Sequence, residues 1–265
     1  MIFRFHLPAK SLRPYVQGYL DADYQKTTEK GEHTLFPNGY SGIFFNFGNR
    51  GKLIINEEYE TPFVSVFGQI DHHFSIIHYP GFYSFGVLFK PTILSWLLKV
   101  EMTSLTNKAF DAQLLSWHFK SLHEQMEEVT SIENKIRLFE DYLMNELAGR
   151  NYTTTLADHA LSLIHQNKSI PEVAKQLLVS QRHLETQFKN AVGLSPKSYS
   201  LIMRFKRIEE QLKRTAVVSW RELPFADEYY DQNHFIKEFK RFTGLTPTSY
   251  LLKNLDVGRS YLTVK

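Results

Sequence analysis

A chain of 265 residues, 43% hydrophobic and 22% charged, is long enough for two domains and too apolar to be disordered; its longest apolar runs, such as Phe85 to Phe89, fall far short of the ~20 residues that cross a membrane. With no cysteine it holds no disulfide, no thiolate-bound zinc and no cysteine nucleophile. The net charge of +3 is unevenly spread, with 14 Lys and Arg against 17 Asp and Glu in residues 1–154 (a balance of −3) and 17 against 11 in residues 155–265 (a balance of +6), and a basic excess confined to one end is what a phosphate-binding surface requires.

At the start of the chain Arg4 and His6 interrupt any signal-peptide hydrophobic region, so the expectation is a soluble, cytoplasmic protein. From Thr34 to Lys90 short apolar stretches alternate with turn residues. They include Ile43 to Phe47 before Gly48-Asn49, then Leu53 to Ile55, Phe63 to Phe67, Phe74 to Ile77 and Phe85 to Phe89. Phe, Ile and Val dominate them, and about six strands at this spacing predict a β-sandwich or small barrel. The aromatics Phe36, Tyr40, Phe44, Phe45, Phe47, Phe63, Phe67 and Phe74 are read mostly as core, with a subset free to line a ligand pocket. After Pro91 the period changes to that of amphipathic helices over Thr92 to Val100, Leu114 to Val129 and Ile132 to Leu147. Gly149-Arg150-Asn151 then breaks the pattern. The expected fold class is α+β: a β-sandwich or barrel-like domain with flanking helices over 1–150, and an all-α domain over 151–265.

The most informative feature of the second half is a repeat at an offset of 51 residues. Ser180 to Tyr199 and Asp231 to Tyr250 share nine of 20 aligned positions, among them Phe188/Phe239, Lys189/Lys240, Gly193/Gly244 and Pro196/Pro247. In each copy Ser180 or Asp231 is a helix N-cap, Leu184 and Phe188 or Phe235 and Phe239 face inward, and Gly193 or Gly244 ends the helix. Upstream, Ser169-Ile170-Pro171-Glu172 and Ser219-Trp220-Arg221-Glu222 are capping boxes that open a shorter helix before each copy. Two capped helices joined by a three- or four-residue turn make a helix-turn-helix. Pro196 to Arg214 then reads as one basic amphipathic helix joining two such units, with Ile202, Phe205, Ile208 and Leu212 along its apolar stripe.

Helical geometry points Arg182, Glu185, Thr186 and Lys189 outward in the first copy and Asn233, Ile236, Lys237 and Lys240 in the second. An outward Ile is costly in water and useful against a thymine methyl. Base contacts are therefore expected from Arg182, Glu185, Thr186, Asn233, Ile236 and Lys237. Phosphate contacts are expected at the N-caps Ser180 and Asp231 and from Lys189, Arg204, Arg207 and Lys240. Other chemistry is poorly supported. His72-His73 with His78 is weak as a metal site, because adjacent histidines on a strand point to opposite faces. No phosphate-binding Gly-rich loop and no nucleophile elbow occurs, and Glu57-Glu58 and Glu127-Glu128 read as a solvated loop and helix face. Neither catalysis nor a cofactor is expected.

Over residues 155–255 the chain resembles the AraC/XylS family of transcription regulators. The resemblance rests on Val173-Ala174, Ser180, Leu184, Phe188-Lys189, Gly193 and Pro196, and on Tyr230-Asp231-Gln232-Asn233-His234-Phe235, Phe239-Lys240, Gly244, Pro247 and Tyr250. It implies seven helices, with two recognition helices in successive major-groove turns on one face of the DNA and a rigid helix between them. The lack of cysteine excludes the DNA-repair relatives that transfer alkyl groups to a thiolate. Two positions depart from the family pattern, Pro224 where it has Ala and Glu228 where it has Gly at the turn. More weakly, Pro37-Asn38-Gly39, Ile43 to Asn46, Phe67-Gly68 and Gly86 to Pro91 resemble a β-rich domain fused ahead of such regulators, implying a sensory or oligomerisation role. The expected function is sequence-specific DNA binding that regulates transcription. Beside double-stranded DNA, the candidate partners are a small-molecule effector, RNA polymerase and a second copy of the chain. The alternative is a ligand-binding protein whose helical domain docks a protein partner.

Overall fold

The structure, a computed structural model, describes residues 2–55, 57–115, 118–214 and 229–256. Ten strands are found among them: β1 (Ile2–His6), β2 (Val16–Asp23), β3 (Gly31–Leu35), β4 (Ser41–Phe47), β5 (Lys52–Ile55), β6 (Glu57–Glu60), β7 (Val64–Phe67), β8 (Phe74–His78), β9 (Tyr83–Phe89) and β10 (Ala109–Asp111). They form a six-stranded sheet in the order β1-β2-β9-β4-β7-β10 and a four-stranded sheet in the order β3-β8-β5-β6. All the pairings are antiparallel.

Alternation explains the larger sheet. Ile43, Phe45 and Phe47 on β4 share a face with Phe85, Val87 and Phe89 on β9, and all are buried in one apolar cluster. The other side of that cluster is supplied by α1 (Ile93–Leu98), α2 (His118–Glu127) and α3 (Ile132–Leu147), through Leu94, Phe119, Phe139 and Leu143. Four more strands are present than the six expected. β1 and β2 precede the expected β-rich stretch, and Arg4 and His6 are simply the polar half of β1's alternation with Phe3 and Phe5. Glu57 and Glu58 lie on strand β6 rather than in a loop. An edge strand tolerates them because Lys52 reaches Glu58 at 2.6 Å and Arg50 reaches Glu60 at 3.0 Å across the ladder.

The histidines also differ from expectation. His72 and His73 lie in the bend before β8, not on a strand, and His72 Nδ1 sits 2.9 Å from the Asp71 carboxylate. His78 pairs instead with His33 of the adjacent strand, Nε2 to Nε2 at 3.0 Å, and stacks on Tyr24 with 3.7 Å between ring centroids. Burial first, and then the neighbouring His33, lower the His78 imidazole to about 4, so it is neutral near pH 7. Among the described residues no group of three or more His, Asp or Glu could hold a metal ion, and no helix is long and apolar enough to cross a membrane.

From Leu156 onward every described element is helical: α4 (Leu156–His165), α5 (Ile170–Gln176), α6 (Gln181–Val192), α7 (Pro196–Arg214), α8 (Gln232–Thr243) and α9 (Pro247–Asp256). The helical part packs against residues that flank the sheets. Phe36 meets Phe205 and Tyr250, with centroids 6.4 and 5.7 Å away, and Thr92 donates to Asp158 at the start of α4 at 2.6 Å.

Candidate nucleic-acid interface

The first unit is α5, a turn and α6. The box that opens α5 is closed in both directions: the Ser169 side chain accepts from the Glu172 backbone N–H, and the Glu172 carboxylate accepts the Ser169 N–H at 2.8 Å. The Ser169 hydroxyl and N–H together hold the exposed Glu172 carboxyl below its ordinary range. At the turn Leu178 takes φ = +56° and is 92% exposed. A left-handed conformation in a side chain of this size is strained, and the sequence carries no glycine there to relieve it. α6 is then capped at both ends. Ser180 Oγ accepts the His183 N–H at 3.1 Å, and Gly193, at φ = +96°, donates its N–H to the Lys189 carbonyl at 2.8 Å.

Leu184, Phe188 and Val192 are fully buried against Ala157, Ala160, Leu161 and Ile164 of α4 and against Val173 and Ala174 of α5. That burial turns the opposite face of α6 to solvent, and Arg182, Glu185, Thr186 and Lys189 are all exposed on it. Thr186, exposed, donates its hydroxyl back to the Arg182 carbonyl at 3.0 Å.

The second unit repeats these devices on α8. Asp231 Oδ1 accepts the His234 N–H at 2.7 Å, and Gly244, at φ = +74°, donates to the Lys240 carbonyl at 2.8 Å. Phe235, Phe239 and Phe242 are buried against Ile202, Phe205, Ile208 and Leu212 of α7. Asn233, Lys237 and Lys240 are exposed, as expected. At both N-caps the side-chain oxygen is already engaged by the helix, so a phosphate there would be met by other N–H groups of the first turn.

Three expected contacts are altered. Arg204 does not face solvent. Its guanidinium is buried and forked onto Glu238 of α8, Nε to Oε1 at 3.2 Å and NH2 to Oε2 at 2.6 Å, and it lies 4.1 Å over the ring of Tyr229. Tyr229 completes the arrangement by donating to Glu238 Oε1 at 2.7 Å. Arg204 is therefore committed to holding α8 against α7, and a phosphate would have to displace a carboxylate to reach it. Ile236 is half-buried, packed beside the same aromatic cluster, so only part of it faces outward. Arg207 is also half-buried on α7, close enough for its charge to lower the His165 imidazole together with Lys206 and Lys90, after burial as the main cause. The capping box Ser219 to Glu222 and the departures Pro224 and Glu228 lie outside the described residues.

The buried Arg204–Glu238 pair went unread in the sequence, although a signal was present. Arg204 precedes Ile208 by four residues and so lies on the buried stripe, and Glu238 occupies the repeat position of the exposed Gln187.

One family model matches the helical units. Residues 173–253 match the family model described as a helix-turn-helix domain, and residues 4–111 match a domain family of unknown function. No curated protein matches the chain. Two solved structures do. Crystalline ToxT from Vibrio cholerae O395 is 14% identical over 84% of this chain and 96% of its own, with a TM-score of 0.45. Wild-type ToxT from Vibrio cholerae strain SCE256, bound to unsaturated fatty acid, is 13% identical over 87% of this chain and 97% of its own, with a TM-score of 0.41.

Proposed function

Given that the C-terminal part of this chain is a helix-turn-helix domain of the AraC/XylS type, we propose that the protein regulates transcription by reading a specific duplex sequence with α6 and α8, while its β-rich region receives a small effector or a second copy of the chain. One observation carries the DNA reading. Two helices 51 residues apart are capped by the same devices, bury the same side and turn a polar and basic side outward.

On the first helix Arg182, Glu185 and Thr186 are the base readers, and on the second Asn233 and Lys237, with the free edge of Ile236 against a thymine methyl. Lys189 and Lys240 follow one turn later and neutralise phosphates. The β-rich region carries the opposite charge balance, −3 in residues 1–154, so phosphate repels it and its role lies elsewhere.

Gel-shift titration of the full chain against a random duplex pool, at several salt concentrations, tests this directly. Binding is expected to enrich a defined sequence and to fall steeply with salt as condensed counterions are displaced. Absence of duplex binding by folded protein, with a protein partner captured instead through α6 or α8, would favour the docking alternative. A thermal-shift screen together with light scattering tests the β-rich region. A monomer that no compound stabilises would overturn that part of the reading.

A further inference from the structure

The β-rich region touches both recognition helices at the same place in the repeat. On α6, Asn190 donates to Glu101 Oε1 at 3.2 Å, and the carbonyl of the Gly193 cap accepts from Thr106 Oγ1 at 2.6 Å. A Cβ on Gly193 would stand 2.9 Å from that hydroxyl and 3.0 Å from the Met102 carbonyl, so the cap is seated tightly. On α8, Arg241 reaches Asp71 Oδ2 at 2.8 Å, and the Gly244 cap is seated on the His73 ring, whose Nε2 would stand 2.9 Å from a Cβ. The repeat offset of 51 residues maps Asn190 onto Arg241 and Gly193 onto Gly244. Thus the last turn and the C-cap of each helix rest on one acidic side chain and one close-packed contact.

The two contact points belong to one rigid piece. Asp71 and Asn107 exchange two hydrogen bonds, from the Asp71 N–H to Asn107 Oδ1 and from Asn107 Nδ2 to Asp71 Oδ1, both at 3.0 Å. The Asn107 N–H donates to the Gln69 carbonyl at 2.9 Å, and Gly68 lies so close to Leu105 that a Cβ would fall 2.3 Å from its carbonyl oxygen. Burial opposes ionisation of Asp71, but hydrogen bonds from His72 and Asn107 and the Arg241 charge outweigh it and hold the carboxyl below its usual range. α7 already ties α6 to α8 from one side. The loops 68–73 and 101–107 add an independent tie at the other, and two ties define an angle where one leaves a hinge.

Resting on the DNA-reading proposal above, we propose that these paired loops form a bracket that sets the separation and tilt of α6 and α8, and so selects the spacing between the two half-sites this chain accepts. Asp71 and Glu101 are its positioning residues. They leave the outward faces of both helices uncovered, so the bracket orients the readers without competing for DNA.

The test uses the full chain and a set of duplexes carrying both selected half-sites, separated by steps of one base pair around one helical turn of ~10.5 base pairs. Wild-type protein is expected to favour one spacing over its neighbours by about tenfold or more. Asp71→Ala combined with Glu101→Ala should flatten that preference to about threefold or less while binding to the first half-site alone is unchanged. An unchanged spacing profile overturns the bracket, and so does tighter binding at every spacing, which would make the contacts a restraint on the readers. Should the double variant not fold, Asp71→Asn keeps the side chain's shape and removes its charge. Broadening by that variant supports the proposal and a sharp profile overturns it. Wild-type protein that binds no duplex at any spacing takes down the functional reading and the bracket together; binding with an unaltered profile in the variants takes down the bracket alone.

Discussion

The two helix-turn-helix units share caps, an offset and an outward face, yet they are held by different physics. α6 is seated by small and branched apolar side chains, Ala157, Ala160, Ile164, Val173 and Ala174, closing on Leu184 and Phe188. α8 lays its own aromatics, Phe235, Phe239 and Phe242, on Ile202, Phe205, Ile208 and Leu212 of α7, beside a buried ion pair. The first arrangement is non-directional and tolerant, and depends on volume. The second is directional, because a guanidinium forked onto a carboxylate accepts one register of α8 against α7 and no other. A duplicated motif can therefore keep its outward geometry while part of the means of fixing it changes.

The comparison is most exposed to failure at Glu238. Glu238→Ala leaves Arg204 buried and uncompensated, and should cost about 3–5 kcal/mol in denaturant unfolding followed by circular dichroism, with protection of α8 amides lost before those of α6. A loss below about 1 kcal/mol, or equal loss in both helices, would remove the distinction drawn here.

Next in size, Arg182→Ala should weaken binding to the selected duplex by about 1–3 kcal/mol and relax selectivity at one base pair, if the first helix is the better-seated reader. Repeating the site selection with this variant checks it, and recovery of the wild-type sequence logo would count against Arg182 as a reader.

A third prediction concerns strain. The family resemblance placed the awkward turn in the second unit, whereas in the first unit the turn between α5 and α6 holds Leu178 at positive φ. Leu178→Gly removes the penalty for φ = +56° and should raise stability by about 1 kcal/mol with DNA affinity unaltered, as read from urea midpoints and a parallel titration. A drop in stability would mean that the Leu178 side chain has a contact worth more than the strain.

The smallest effect is expected at Lys240. Lys240→Ala should weaken matched and scrambled duplexes alike, by less than about 1 kcal/mol, and lower the salt slope by about one. A change in sequence preference would move Lys240 from the phosphates to the bases.

What the sequence made legible follows from which signals are local. The N-caps Ser180 and Asp231, the left-handed Gly193 and Gly244, and the Leu184/Phe188 and Phe235/Phe239 pairs are encoded within a few residues of where they act, and each is found where the pattern put it. The change from strands to helices after Pro91 was legible for the same reason, but the short β10 (Ala109–Asp111), which returns to pair with β7, was not. Pairings across the chain were not. Asp71 meets Arg241 across 170 residues and Glu101 meets Asn190 across 89, and nothing near either partner announces the other. β2 was missed because Gly18 and Asp21 interrupt its apolar alternation, and Asp21 is nonetheless fully buried, with Arg4 of β1 as its ion-pair partner. Arg204 was misassigned because a basic residue on a basic helix reads as solvent-facing until the carboxylate that buries it is known.

The bracket also bears on how a duplicated segment diverges. Two copies of one repeated unit answer to the same neighbour at the same position, yet that neighbour is not itself duplicated. Loop 68–73 and loop 101–107 are unrelated stretches of chain that each arrived at an acid, Asp71 and Glu101, opposite Arg241 and Asn190. Drift at either helix position is thus coupled to drift in a different loop. The two helices present matching positions to the interface, and the two loops that receive them share only the acid.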